Sequence, residues 1–161
     1  MKPRPVRGRS ERGAALAEFA LVLPLLALIV FGTIDLGRVF RLNTRLANAA
    51  REGAGTGQFD PYRVDTGCRG HANVVDRVKD EDAGLATLPG FVVRVFKRDS
   101  VTGSLVPPGG ITGCDPAAPT VTIVPGDRVV VQVEAVLDAL TPLSGRAHIT
   151  VRGSHEVVVQ G

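Results

Sequence analysis

Residues 14–34 read AALAEFALVLPLLALIVFGTI, and the organisation of the whole chain hangs on this stretch. Twelve of its 21 residues are Leu, Ile, Val or Phe, and Glu18 is its one charge. As a helix it rises about 31 Å, the thickness of one hydrocarbon core. The large apolar residues together favour insertion by roughly 4–7 kcal/mol, against a charge penalty of about 3 kcal/mol that applies only at the membrane centre. Apolar residues cover every face, unlike a helix that lies on a soluble core. A cleaved secretory signal has a shorter apolar run, about 7–15 residues, with small residues at the cut. Here Asp35, Leu36, Gly37 and Arg38 follow instead. The stretch reads as a transmembrane helix.

Ahead of it, residues 1–13 carry Lys2, Arg4, Arg7, Arg9 and Arg12 against Glu11, and Pro3, Pro5 and Gly8 predict that no helix forms there. Five basic residues precede the span, while Arg38, Arg41 and Arg45 follow it. That bias places the N-terminus in the cytoplasm and the bulk of the chain outside. Glu18 has two readings. It snorkels to the headgroups at little cost, or it is a functional carboxylate, as an ionisable group at membrane depth is by default. Its surroundings favour the second reading. A cut after Gly13 would leave an α-amino group on Ala14, with Glu18 one helical turn away. In a bundle of packed helices, the ammonium of a neighbouring subunit would neutralise the carboxylate, whereas an unpaired one would oppose burial.

The basic leader, Gly13, the run Ala14-Ala15-Leu16-Ala17-Glu18-Phe19 and the apolar helix resemble the processing site of type IV-like prepilins. The finer pattern is similar to the TadE-like family, minor pseudopilins of the tight-adherence (Flp) pilus. It runs through Ala20-Leu21-Val22-Leu23-Pro24, then Gly32, Asp35, Gly37 and Arg38, to Ala49-Ala50-Arg51-Glu52-Gly53-Ala54. The likeness is weaker later, at Gly126-Asp127-Arg128-Val129 and Leu140-Thr141-Pro142-Leu143. The resemblance implies cleavage between Gly13 and Ala14 by a membrane prepilin peptidase. It also implies that the peptidase and the assembly machinery read Glu18 and Phe19. The partners it implies are that peptidase, other pilins and pseudopilins, and the Tad secretion machinery, with membrane lipid around the helix before assembly.

Pro24 lies inside the span, where it removes a backbone hydrogen bond and favours a kink that membranes tolerate. Past the bilayer, Leu36, Val39, Phe40, Leu42, Leu46, Ala49, Ala50 and Gly53 fall near helical spacing. This predicts an amphipathic continuation over 35–53, stopped by Gly53-Ala54-Gly55-Thr56-Gly57, with residues 54–70 as a linker. Asp35 is placed to pair with Arg38 at i, i+3. Arg38, Arg41, Arg45 and Arg51 read as a solvated or headgroup-facing set.

Residues 71–161 form the expected exterior domain. A short polar helix over 71–88 would bury Val74, Val75 and Val78. Strands are expected at 91–97, 120–124, 128–136 and 148–159. The second and third would form a hairpin over Pro125-Gly126-Asp127, and the last would bulge at Gly153-Ser154. In 128–136, Val129, Val131, Val133 and Ala135 face one way, and Val130, Gln132 and Glu134 the other. Residues 107–119, rich in Pro and Gly, read as an irregular loop. The fold class is α+β: a long N-terminal transmembrane and amphipathic helix followed by a small exterior domain with an antiparallel sheet, pilin-like in plan.

Cys68 and Cys114 are the only cysteines, an even count that favours one disulfide in an exported domain. Closing that loop is worth ~4 kcal/mol in the chain-entropy account. A zinc site of Cys68, His71, Cys114 and His148 or His155 is the rival, but its ligands lack the tight pairing of structural zinc motifs. No metal, cofactor or active site is expected, since nucleophile-elbow, H-E-x-x-H and P-loop patterns are absent. His155 reads as a packing residue on the face of Val157 and Val159.

The pI near 9.3 invites a nucleic-acid reading, but seven aromatics and no Trp leave few surfaces for base stacking. Removing residues 1–13 takes five of the 19 Lys/Arg and one of the 16 Asp/Glu, leaving a side-chain charge of −1. The basicity belongs to the leader, and no nucleic-acid partner is expected. The leading expectation is a non-enzymatic minor pseudopilin acting in pilus assembly, surface adhesion or biofilm formation. It would be single-pass in the cytoplasmic membrane before it reaches the cell surface or the fibre. The rivals are a permanently anchored adhesin or binding domain and an exported enzyme on a signal anchor.

Overall fold

The computed structural model of the chain describes residues 10–59, 68–112, 123–140 and 147–160. One continuous helix, α1 (Ser10–Phe59), runs for 50 residues through Pro24. It is followed by α2 (Cys68–Glu81), a 3-10 turn at Leu85–Thr87, and strands β1 (Val92–Arg98), β2 (Leu105–Ile111), β3 (Arg128–Asp138) and β4 (His148–Val158). The strands form one antiparallel sheet in the order β2-β1-β3-β4. The outer half of α1 crosses β3 and β4, and α2 packs along α1. The α+β class read from the sequence is the class observed.

The valine alternation in β3 is what closes the head. Val129, Val131, Val133 and Ala135 are fully buried under α1, joined by Val93 and Val95 from β1 and Val151 from β4. Each fully buried Val or Leu contributes about 1.5–3 kcal/mol. Helix α1 supplies Leu42, Leu46, Ala49, Ala50 and Ala54, and α2 supplies Val74 and Val78. These positions recur at three- and four-residue steps, one stripe of each helix. On the other face of the sheet, Val130 and Phe96 are also buried, beside an ion-paired Glu134 held by Arg94 and Arg152.

Several local expectations give way to tertiary packing. Helix α1 starts at Ser10, so its first turn lies within the basic leader; only glycine's ~1 kcal/mol helix penalty at Gly13 opposes that extension. At its other end α1 does not stop at Gly53 but continues to Phe59, into the expected linker. The small residues there make room for α2: a Cβ on Gly53 would lie 2.6 Å from Val78 Cγ2, and Ala54 is fully buried. Burial outweighs the helix penalty of glycine.

Helix α2 begins at Cys68, earlier than expected, and buries Val74 and Val78 while Val75 is half-buried. Part of the expected loop 107–119 is strand β2, with Pro107 and Pro108 inside it. An edge strand tolerates proline because one side needs no ladder partner, and β2 is the edge. Its register against β1 shifts between Val95 and Lys97, and Gly110 there takes φ 71°. The expected hairpin is corrected too: Ile123 and Val124 are not in a strand, and β3 pairs with β1 and β4. The turn at Pro125-Gly126 is real, with Gly126 at φ 94° and Asp127 N–H donating to Val124 O at 3.0 Å. Thr120, Val121 and Thr122 lie outside the described residues.

Nor does β4 bulge at Gly153. Its register with β3 is unbroken from His148 to Val158. Glycine stands there because a Cβ would sit 2.4 Å from Ala47 N and Leu46 C, in the backbone of α1. Strand and helix touch main chain to main chain.

Candidate functional site: a bare helix anchored to its head

Every residue of α1 from Gly13 to Ile34 is exposed except the half-buried Ala27 and Gly32. Leu16, Leu21 and Leu25 show 70%, 81% and 60% of their surface. Among the described residues, nothing of the head folds back over this segment, and α1 is long and apolar enough to cross a membrane. Gly13, Ala14, Glu18 and Phe19 occupy its first turns, all exposed. Ala14 and Glu18 are four apart and share one face. No heavy atom lies within 4 Å of where a Cβ on Gly13 would stand. The fold itself places no demand for glycine there.

The head begins at Asp35, the first buried residue of the helix. Its carboxylate accepts from Arg38 Nη1 at 3.2 Å and from the backbone N–H of Leu140 at 3.0 and 2.9 Å. Arg38 Nη1 also donates to the carbonyl of Asp138 at 3.0 Å. The expected i, i+3 pair is present, and it also pins the end of β3 to the point where the bare helix meets the head. Further along, Arg45 binds Asp82 bidentately, Nε to Oδ2 at 2.5 Å and Nη2 to Oδ1 at 2.8 Å. The Arg45 hydrogen bond holds the Asp82 carboxyl below the ordinary carboxylate range. Glu52 accepts from Arg77 Nε at 2.9 Å and Nη2 at 2.6 Å, linking α1 to α2 directly.

At the far end of the sheet, Asp127 is buried. Burial alone would raise its pKa, but Lys97 Nζ at 2.8 Å and the N–H groups of Val124 (2.9 Å) and Ser100 (3.3 Å) outweigh that and hold it low. Glu134 is likewise pushed up by burial and brought net down by Arg94 and Arg152. These carboxylates hold loops and strands in place.

Cys68 opens α2, but its side chain and the whole of Cys114 lie outside the described residues, as does the side chain of His71. His148 Nδ1 lies 2.6 Å from Asp138 Oδ1 at the exposed start of β4, and His155 is half-buried on the inner face. Among the described residues, no three His, Cys, Asp or Glu side chains gather as metal ligands would. Asp82, Asp127 and Leu140 went unnoticed in the sequence as partners of α1 and the sheet. The contacts of Asp82 with Arg45, Asp127 with Ser100 and Leu140 with Asp35 span from 27 to 105 residues, and no local spacing signals them.

No curated protein and no solved structure matches the chain. A family model does match, over residues 13–55, about a quarter of the length. The matched segment runs from the glycine ahead of the bare helix to the small residues buried under α2. Its description is TadE-like protein, and on those residues the chain is similar to that family.

Proposed function

We infer that this chain is a minor pseudopilin of a Tad/Flp-type pilus, cleaved after Gly13 and acting without catalysis in pilus assembly, adhesion or biofilm formation. The TadE-like match associates it with Tad pilus systems. The observation that carries the finer reading is the bare α1 segment. A helix apolar on all faces and uncovered by its own head needs another apolar environment. Lipid provides that before assembly, and the helices of other pilins provide it afterwards. Gly13, with open space around it, is then glycine for a peptidase that must approach the backbone closely, not for packing.

Cleavage would free an ammonium on Ala14, one turn from Glu18. In a helical bundle that ammonium, on one subunit, would neutralise the Glu18 carboxylate of the next. Orientation follows the basic leader, with the N-terminus inside and the head outside. The Cys68–Cys114 disulfide belongs to the same reading, since it requires an oxidising exterior; reactive thiols at both positions in the unreduced, denatured protein would exclude it. The assembly role is tested by Glu18→Ala in the native host. The expected result is loss of surface filaments while the chain stays in the membrane; unchanged filament number would overturn it. Co-purification of the chain with sheared filaments places it in the fibre. Filaments that need the chain but lack it make it an assembly factor.

A further inference from the structure

Arg38, Arg41, Leu42 and Arg45 stand at i, i+3, i+4 and i+7 on α1, one stripe of the helix. With Leu88, after the 3-10 turn, and Leu137, near the end of β3, they line a cleft of about 190 Å³. Its floor is leucine and its rim is arginine. Arg38 and Arg45 are held by Asp35 and Asp82, so their guanidinium groups are fixed in position. Arg41 is exposed and has no ion-pair partner among the described residues. Three cations against two carboxylates leave one positive charge, with donors already arranged, which suits an anion.

The cleft's height selects the anion. Beyond Ile34, Leu36 and Phe40 remain 70% and 73% exposed, and so does Leu140 at 53%, tied to Asp35 through its N–H. This apolar rim carries the bilayer boundary past Ile34 on the helix and onto the underside of the head. Phe40 lies about 9 Å along α1 from Ile34, and Arg38 about 6 Å, the depth of a headgroup layer. We propose that this cleft binds the phosphate of an anionic phospholipid of the outer leaflet. Arg41 supplies the unpaired charge, and Arg38 and Arg45 supply oriented N–H donors. The bound lipid would fix the tilt of the head relative to the membrane through the Asp35 and Asp82 anchors.

The proposal rests on the membrane placement of α1 and the exterior placement of the head, but not on leader processing or filament assembly. Its test therefore uses the full chain extracted in detergent, with phosphatidylglycerol and phosphatidylcholine added in equal amounts and the retained lipids counted by native mass spectrometry. The wild type is expected to retain phosphatidylglycerol preferentially. Arg41→Gln should cut that preference about fivefold, the effect of one basic residue at a membrane surface. Arg51→Gln, higher on the same helix and exposed, should leave it unchanged. Equal retention of the two lipids by the wild type, or an Arg41→Gln profile like wild type, overturns the site. An equal loss in Arg51→Gln reduces it to diffuse charge attraction and overturns it too. Displacement of phosphatidylglycerol by millimolar inorganic phosphate would assign the cleft to free phosphate instead of lipid. Recovery of the chain in the supernatant after alkaline extraction of membranes would remove the bilayer and the proposal with it, whatever the leader's fate.

Discussion

The two halves of α1 are one unbroken helix in two different environments. From Gly13 to Ile34 the large residues, Leu, Ile, Val and Phe, are all exposed. From Asp35 onward the buried positions shift to small ones, Ala49, Ala50, Gly53 and Ala54, beside Leu42 and Leu46. The inner half is apolar on every side and long enough to cross a membrane, and no packing partner among the described residues sets the size of its side chains. The outer half must admit a sheet and a second helix at backbone distance, which only small side chains permit. Hydrophobicity marks the first environment; the second is marked by the size of the residue.

The contrast breaks most severely at the closest approach. Gly153→Val would drive a side chain into the main chain of α1, where a single Cβ already comes to 2.4 Å of Ala47 N. Overpacking costs about 1–3 kcal/mol where neighbours can yield and more where they cannot, so the head is expected not to fold. Amide hydrogen exchange in β3 would report it as lost protection. Next in size is a matched pair. Leu46→Ala, in the core, should destabilise the head by about 2–5 kcal/mol, and Leu28→Ala, on the bare segment, by less than about 0.5 kcal/mol. Similar losses in a thermal melt of the detergent-held protein would mean that the bare half is part of the head after all.

Acid should act on the head. Asp82, Asp127 and Glu134 have folded pKa values below their unfolded ones. Their contribution is therefore fully present above the unfolded value of about 4 and is lost as pH falls through the folded values. The melting midpoint should be flat from about pH 7 to 5 and fall below about pH 4, less steeply in Asp127→Asn. A midpoint that rises on acidification would contradict the ion-pair account. A smaller effect is expected at Gly53→Ala. Its Cβ would lie 2.6 Å from Cγ2 of the fully buried Val78 and 3.4 Å from Cγ1 and the carbonyl oxygen of Val74, an overpacking of about 1–3 kcal/mol, against about 0.8–1 kcal/mol of helix propensity gained. The net change should be a loss of no more than about 2 kcal/mol in a thermal melt.

The same contrast explains what the sequence disclosed. The bare helix was legible because it answers to composition alone, and the TadE-like pattern at Gly13, Glu18 and Phe19 rides on it. Strand β3 was legible because Val129, Val131 and Val133 alternate against a single buried face. The glycines misled in both directions. Gly53 and Gly57 read as a helix stop and Gly153 as a bulge, because a local pattern cannot show a distant element pressing on a backbone. Strand β2 was hidden by Pro107 and Pro108, which only its position at the sheet edge makes acceptable. Asp35 was half-legible: its partner at Arg38 lies within one turn, its partner at Leu140 across the fold.

The most direct test of the central claim is the intact mass of the chain extracted from membranes of its native host. The account predicts a product beginning at Ala14, lighter than the full sequence by residues 1–13. A protein that still begins at Met1 would contradict it, and would leave α1 as a permanent anchor and not a helix released for assembly.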